Sequence, residues 1–229
     1  MNTVYIIRHG ENHANLIKQL SSKLVDYPLT EKGILQAQQT GEALAGRGIE
    51  ALFCSPLKRA KQTAEIVGTY IGLVPTVLDE LIEIDVGEME KVRSTYEIWQ
   101  AHDAIIERWQ HGEPDARFPG GDDYHSLLGR TRAGLLKVIH GRTNSAVALV
   151  GHFGMFNFTL NDICQNVSGH MLKREENHNC SITTMEAEAV DGMLFASLVD
   201  WANADHLHGE AAKLVPARPV PEDFHGLNE

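Results

Sequence analysis

Apolar positions in this chain come as short continuous runs separated by longer stretches with helical spacing. Val4–Ile7 is four apolar residues in a row ending at Arg8-His9-Gly10, which predicts a buried strand. Ile34, Ala37, Gly41 and Leu44 recur at intervals of three, four and three, the rhythm of a helix face. Thr30 stands where it can cap that helix, and Gly46 and Gly48 where they end it. Ala51–Cys54 predicts a second short buried strand. It runs into Ser55-Pro56, read as N-cap and first helical position of a helix reaching about Tyr70. Thr76–Leu78 reads as a third strand, and Tyr96–Gln110 as a helix anchored by Trp99, Ile106 and Trp109.

Pro119-Gly120-Gly121 predicts a turn, followed by a helix opened by Asp122 or Asp123. Tyr124, Leu128, Thr131, Leu135 and Val138 carry its inner face. Ala146–Val150 is the clearest strand, ending at Gly151-His152, with a helix expected from Met155. Ser181–Met185 and Met193–Val199 read as late strands. Strands alternating with helices predict an α/β sandwich with a mostly parallel central sheet. Residues 1–213 read as a single domain with a helical insert around 93–124. Residues 214–229, with Pro216, Pro219 and Pro221, read as an irregular C-terminal tail.

Composition narrows the function. The chain has 229 residues and a net charge of −11, which argues against a general nucleic-acid binder. Cys54, Cys164 and Cys180 are odd in number and form no CxxC, so a disulfide framework is not expected. No run approaches the ~20 apolar residues of a membrane span, and the N-terminal apolar run is too short for a signal peptide. The expected address is cytoplasmic.

In such sheets ligands gather where strands end and loops turn into helices. Three segments of interest lie there. His9 follows a buried strand, and a neutral imidazole is a nucleophile toward phosphorus. Arg8 beside it favours the neutral ring and can hold phosphate oxygens. Arg59 stands in the first turns of a helix, where side chains lean back toward the N-terminus. His152 ends the strand Ala146–Val150. A fourth segment, Leu81 to Glu88, offers Glu83, Asp85 and Glu88, one of which can serve as a proton donor to a leaving oxygen. Taken singly, each has a plain structural explanation: a strand-end histidine, a solvated basic helix face, a polar turn.

Together the segments resemble the histidine phosphatase superfamily, the phosphoglycerate mutase-like fold. RHGE at Arg8–Glu11, PLTEKG followed by Gln36-Ala37 at Pro28–Ala37, SPLKRAKQTA at Ser55–Ala64, PGG at Pro119–Gly121 and VGH at Val150–His152 carry the likeness, from about Val4 to Val199. The resemblance implies a three-layer sandwich. It implies that His9 becomes phosphohistidine and that Arg8, Arg59 and His152 bind the transferring phosphoryl group. Asn15 fits a further phosphate ligand. Glu83 fits the acid/base position, with Asp85 and Glu88 as neighbouring alternatives. The implied partner is a small phosphate ester, with no cofactor, metal, nucleic acid or membrane. A homodimer is compatible with it.

The chain departs from the family pattern at Asp122, where glutamate is common after PGG. Met89-Glu90-Lys91 stands in place of Trp-Glu-Gly, and Asn12 where threonine is frequent. These changes are expected around the pocket mouth. The mutases resemble one another in carrying adjacent arginines between the acid/base segment and the second histidine. Here Arg130 and Arg132 are separated by Thr131. A metal-independent phosphatase is therefore expected, with a mutase or a non-catalytic binding protein as alternatives. Substrate choice is expected in the segment from Arg93 to Tyr124, although Trp99 and Trp109 are read first as anchors of the insert. Lys173-Arg174 and His178-Asn179 are further candidates for the rim. His9 with His13, and His206 with His208, suggest metal-assisted hydrolysis, but HExxH is absent.

Overall fold

A computed structural model describes residues 1–168, 177–213, 215 and 219–224. The elements run β1 (Asn2–Arg8), α1 (His13–Leu16), α2 (Glu31–Leu44), β2 (Ile49–Cys54), α3 (Lys58–Ile71), β3 (Thr76–Val77), α4 (Tyr96–Gln110), α5 (Tyr124–Ile139), β4 (Ala146–Gly151), α6 (Phe153–Ile163), β5 (Ile182–Val190) and β6 (Met193–Asn203). Short 3-10 turns occupy Asp79–Leu81, Gly87–Lys91 and Pro221–Phe224.

The strands form one sheet in the order β3-β2-β4-β1-β5-β6. The first four are parallel, and β5 and β6 are antiparallel additions. Alternate residues feed opposite faces, as the pleat requires. Val4, Ile6, Val147 and Leu149 pack with α5 and α6 side chains such as Leu135 and Phe156. Tyr5, Ile7, Ala148 and Val150 pack with Leu44, Ala60, Ala64 and Val67 from α2 and α3. Both faces are covered, which is why these strands read as unbroken apolar runs.

Local signals set most boundaries. The Thr30 hydroxyl accepts the Gly33 N–H at 3.0 Å and caps α2, a contact worth about 1 kcal/mol. Asp123, rather than Asp122, caps α5 through a reciprocal pair with Ser126. Gly72, at φ +72°, ends α3 in the left-handed conformation open to glycine.

Several expectations need correction. Ser55 and Pro56 do not open α3: Leu57 is its N-cap and the helix starts at Lys58. Ser55 is instead held by a long-range partner described below. The helix after β4 begins at Phe153, two residues before Met155, with His152 as N-cap. Ile34 faces outward on α2, and β5 and β6 extend beyond the predicted strands. The short helix α1 carried no periodic signal. Trp109 is buried with its Nε1–H on the Ala116 carbonyl, so it anchors the insert as expected.

The free edge of β6 is partly occupied. The Asn166 amide donates to the Leu198 carbonyl and accepts the Leu198 N–H, both at 2.8 Å. Beside it, the Gln165 N–H reaches the Ala196 carbonyl at 2.9 Å. Among the described residues, no helix is long and apolar enough to cross a membrane.

Candidate active site

Parallel register brings the two site histidines together. Arg8 pairs with Gly151 at the ends of β1 and β4. The next residue on each strand is a histidine, and the His9 N–H bonds the Gly151 carbonyl at 3.0 Å. The rings of His9 and His152 lie 5.3 Å apart. On the other side of β4, the Ser55 N–H continues the ladder to the Val150 carbonyl at 3.0 Å. Three strand ends thus deliver His9, His152 and Ser55 to one place.

Hydrogen bonding assigns the ring protons. His9 Nδ1 lies 2.7 Å from the Gly10 carbonyl, which only accepts. The proton therefore sits on Nδ1, and Nε2 keeps its lone pair. Burial holds the His9 pKa well below its usual value, with the charges of Arg59 and Arg8 adding to the effect. The ring is neutral and nucleophilic at neutral pH.

His152 Nε2 lies 2.7 Å from the Ser55 hydroxyl. Ser55 also accepts the Leu57 N–H at 3.3 Å, and its own proton is free to be donated to Nε2. In the tautomer where Ser55 donates, His152 carries its proton on Nδ1. That atom is buried and has no hydrogen-bond partner. Burial, then the charge of Arg59, keep this ring neutral too. Arg8 Nε is likewise buried without a partner. In that tautomer the site holds two buried donors without a partner, a set suited to an anion.

The guanidinium groups are fixed from behind. Arg8 Nη1 donates to the Asn177 carbonyl, and its guanidinium carbon lies 5.4 Å from the Phe153 ring centre. Burial lowers its pKa to about 10, so it stays charged. Arg59 donates Nη1 to the Ser21 hydroxyl at 3.1 Å and Nη2 to the Ser21 carbonyl at 2.9 Å. Asp26 lies 3.6 Å from Arg59 and accepts the Lys58 N–H at the start of α3. Asn15 gives its oxygen to the Asn12 N–H and to Asn179 Nδ2, at 3.1 and 3.2 Å. What it offers an anion is therefore its NH2 group. Asn179 also bonds the His9 carbonyl at 3.0 Å.

Glu83 is the carboxylate that the fold turns inward. With Arg8, His9, Asn15 and Arg59 it lines a cavity of about 130 Å³. Its Oε1 accepts the N–H groups of Ile84 and Met155, both at 2.8 Å, and Oε2 accepts that of Gly154 at 3.0 Å. Oε2 has the lone pair left for a proton. Asp85 instead pairs with Lys23 and accepts the Gly87 N–H, while Glu88 pairs with Lys91 at the exposed surface. Of these three carboxylates, Glu83 is the one that lines the cavity.

The departures from the family pattern sit mostly away from the mouth, contrary to expectation. Asp122 accepts the Asp85 N–H at 2.9 Å and an Arg130 N–H at 2.6 Å, while Arg130 also reaches the Ile82 carbonyl. Together they brace the segment that carries Glu83. Met89 packs against the core and Lys91 pairs with Glu88 at the surface. Asn12 does line the cavity. So does Trp99, whose Nε1–H reaches the Lys18 carbonyl at 2.7 Å. It serves wall and anchor at once. His206 bonds Thr40 at 2.9 Å, so it is engaged in packing the C-terminal segment on α2. Lys173-Arg174 lies outside the described residues. Ser21, Asn177 and Phe153 had no sequence signal of their own, and Ser55 carried one for a helix start rather than for the site; only their partners reveal these roles.

A sequence model described as the histidine phosphatase superfamily (branch 1) matches residues 4–196. The probable phosphoglycerate mutase GpmB of Salmonella paratyphi B is 30% identical over 209 residues, covering 91% of this chain and 96% of that protein. Among solved structures, Bacillus stearothermophilus YhfR superposes with a TM-score of 0.74 at 23% identity, covering 90% of this chain and 99% of that one. A mycobacterial glucosyl-3-phosphoglycerate phosphatase gives 0.71 at 22% identity, covering 88% and 99%.

Proposed function

The chain belongs to the histidine phosphatase superfamily, and from that membership we propose that it hydrolyses a small organic phosphate monoester through a phosphohistidine at His9. The observation that carries this reading is the Nδ1–H bond from His9 to the Gly10 carbonyl. It leaves Nε2 as a lone-pair donor, beside the buried donors of Arg8, Arg59 and His152.

In the first step His9 Nε2 attacks phosphorus and the bond to the ester oxygen breaks. Glu83, protonated on Oε2, gives its proton to the leaving alkoxide. In the second step water attacks the phosphohistidine, Glu83 takes back a proton, and His9 leaves as the neutral ring. Charge on the equatorial phosphoryl oxygens is met by Arg8, Arg59, the Nδ1–H of His152 and the Asn15 amide. Such preorganised donors are worth about 3–4 kcal/mol of barrier each. Trp99 and Phe153 give the organic half of the ester an aromatic side.

A second reading is a phosphoglycerate mutase-type transfer, favoured by the name of the Salmonella relative. Wild type and His9→Ala, assayed on phosphate monoesters and phosphoglycerates with chelator present, separate the two. Phosphate release that vanishes in His9→Ala is the expected result. Isomerisation without release favours the mutase, and release that survives His9→Ala overturns the nucleophile.

A further inference from the structure

Residues 21–26 form an irregular segment between α1 and α2, yet they hold Arg59. Ser21 takes both terminal guanidinium nitrogens, and Asp26 takes the Lys58 N–H and faces Arg59. Nothing in the local sequence, which is Ser21-Ser22-Lys23-Leu24-Val25, imposes a regular backbone there. The order comes from Glu90. Glu90 is 3% exposed. It accepts four consecutive backbone N–H groups: Ser22 at 2.7 Å, Lys23 at 3.0 Å, Leu24 at 3.0 Å and Val25 at 2.8 Å. The Ser22 hydroxyl adds a fifth bond at 2.7 Å. Successive N–H groups wrapped on an anion form a nest, here built around a side chain of the same chain. Ser21 closes the loop with a bond from its hydroxyl to the Val25 carbonyl.

We infer that Glu90 is a positioning residue for phosphoryl transfer: it folds residues 22–25 around its carboxylate and so aims Arg59, through Ser21, at the phosphoryl group. This rests on the phosphatase reading given above. Glu90 does not line the cavity, whereas Ser21, Ser22 and Arg59 do, so its action passes through the loop. Burial opposes its charge, but the Ser22 hydroxyl and the N–H groups of Val25, Lys23 and Ser22 keep its pKa below the usual carboxylate value. The carboxylate is present across the working pH range. Glutamine has one acceptor oxygen and would turn an NH2 group toward the same N–H donors.

The test compares Glu90→Gln in the wild-type and Arg59→Ala backgrounds. Three quantities are read: hydrolysis of p-nitrophenyl phosphate, calorimetric affinity for orthovanadate, and thermal unfolding. With Arg59 present, Glu90→Gln is expected to lower kcat/KM and vanadate affinity roughly 10- to 100-fold, the scale of a displaced catalytic group. In Arg59→Ala the same change is expected to alter either value less than about 3-fold, because coupled residues are non-additive. Glu90→Asp should recover part of the loss. Folded Glu90→Gln with unchanged kcat/KM and vanadate affinity overturns the inference, as does an equal loss in both backgrounds. Should Glu90→Gln not fold, Ser22→Ala removes one of the five donors, and the same comparison of backgrounds decides. Absence of hydrolysis by wild type would count against the phosphatase reading alone, since the vanadate arm reads Arg59 without turnover.

Discussion

Glu83 and Met155 meet at 2.8 Å, a carboxylate oxygen on the third backbone N–H of α6. The N-terminus of this helix, with its free N–H groups, is thereby occupied by the acid/base candidate rather than left for substrate. Its position is fixed by backbone, and only proton transfer remains for it to contribute. Glu83→Gln should therefore lower kcat/KM about 10²- to 10⁴-fold on alkyl phosphates. On p-nitrophenyl phosphate, whose leaving group needs no proton, the loss should be much smaller. Equal losses on both substrates would remove Glu83 from the proton-transfer role.

The buried rings of His9 and His152 make stability depend on pH. Both have pKa values held well below the usual 6.5, chiefly by burial. Below 6.5 the unfolded chain binds protons that the folded chain does not. Stability thus rises with pH through that window and is fully present above it. Each ring costs up to about 1.4 kcal/mol per pH unit on acidification within the window. Urea midpoints should be level from pH 7 to 8 and fall from 6.5 toward 5. A flat profile from 5 to 8 would show that these rings are not buried neutral.

Ser55 is the hydrogen-bond partner of His152 Nε2. Ser55→Ala removes the partner of Nε2 and, on the phosphatase reading, lets the ring proton leave Nδ1, the atom proposed to meet the phosphoryl group. The expected loss in kcat/KM is on the order of 10-fold, with phosphate inhibition weakened in parallel. Threonine at this position keeps the hydroxyl and should restore part of the activity. Unchanged phosphate inhibition in Ser55→Ala would mean that another group orients the ring.

The PGG turn is locked to the Glu83 segment by glycine contacts. A Cβ on Gly121 would stand 2.1 Å from the Asp85 carbonyl oxygen, and one on Gly87 2.2 Å from that of Pro119. Gly87 also has φ +54°, a conformation that side chains disfavour. Gly121→Ala should destabilise the protein by about 1–3 kcal/mol in urea unfolding. The strain falls between Asp85 and Gly87, so activity should drop with it. A fully stable Gly121→Ala protein would mean that the turn can withdraw from Asp85.

These relationships differ in how far they could be read along the chain. The strands β1, β2 and β4 announce themselves because both faces are buried, and His9 and His152 stand out by ending them. Glu83, Asp85 and Glu88 look alike in sequence because their environments are made elsewhere, by Gly154 and Met155, by Lys23 and by Lys91. Ser55-Pro56 carries the composition of a helix start, but a histidine almost a hundred residues later takes the serine hydroxyl, and the helix opens after Leu57. Asn177 acts on Arg8 through its carbonyl, and Ser21 on Arg59 through its carbonyl and hydroxyl. Such contributions have no composition to betray them.

The Asn166 amide, bonded to both backbone groups of Leu198, acts on the outermost strand as a neighbouring strand would. Another chain arriving along β6 finds the middle of the template already taken. The opposite border, β3, is two residues long and offers little more. A sheet blunted in this way offers other copies of itself little free edge to pair with. Replacing Asn166 by a residue without an amide would expose that liability as aggregation, with the chemistry of the pocket left intact.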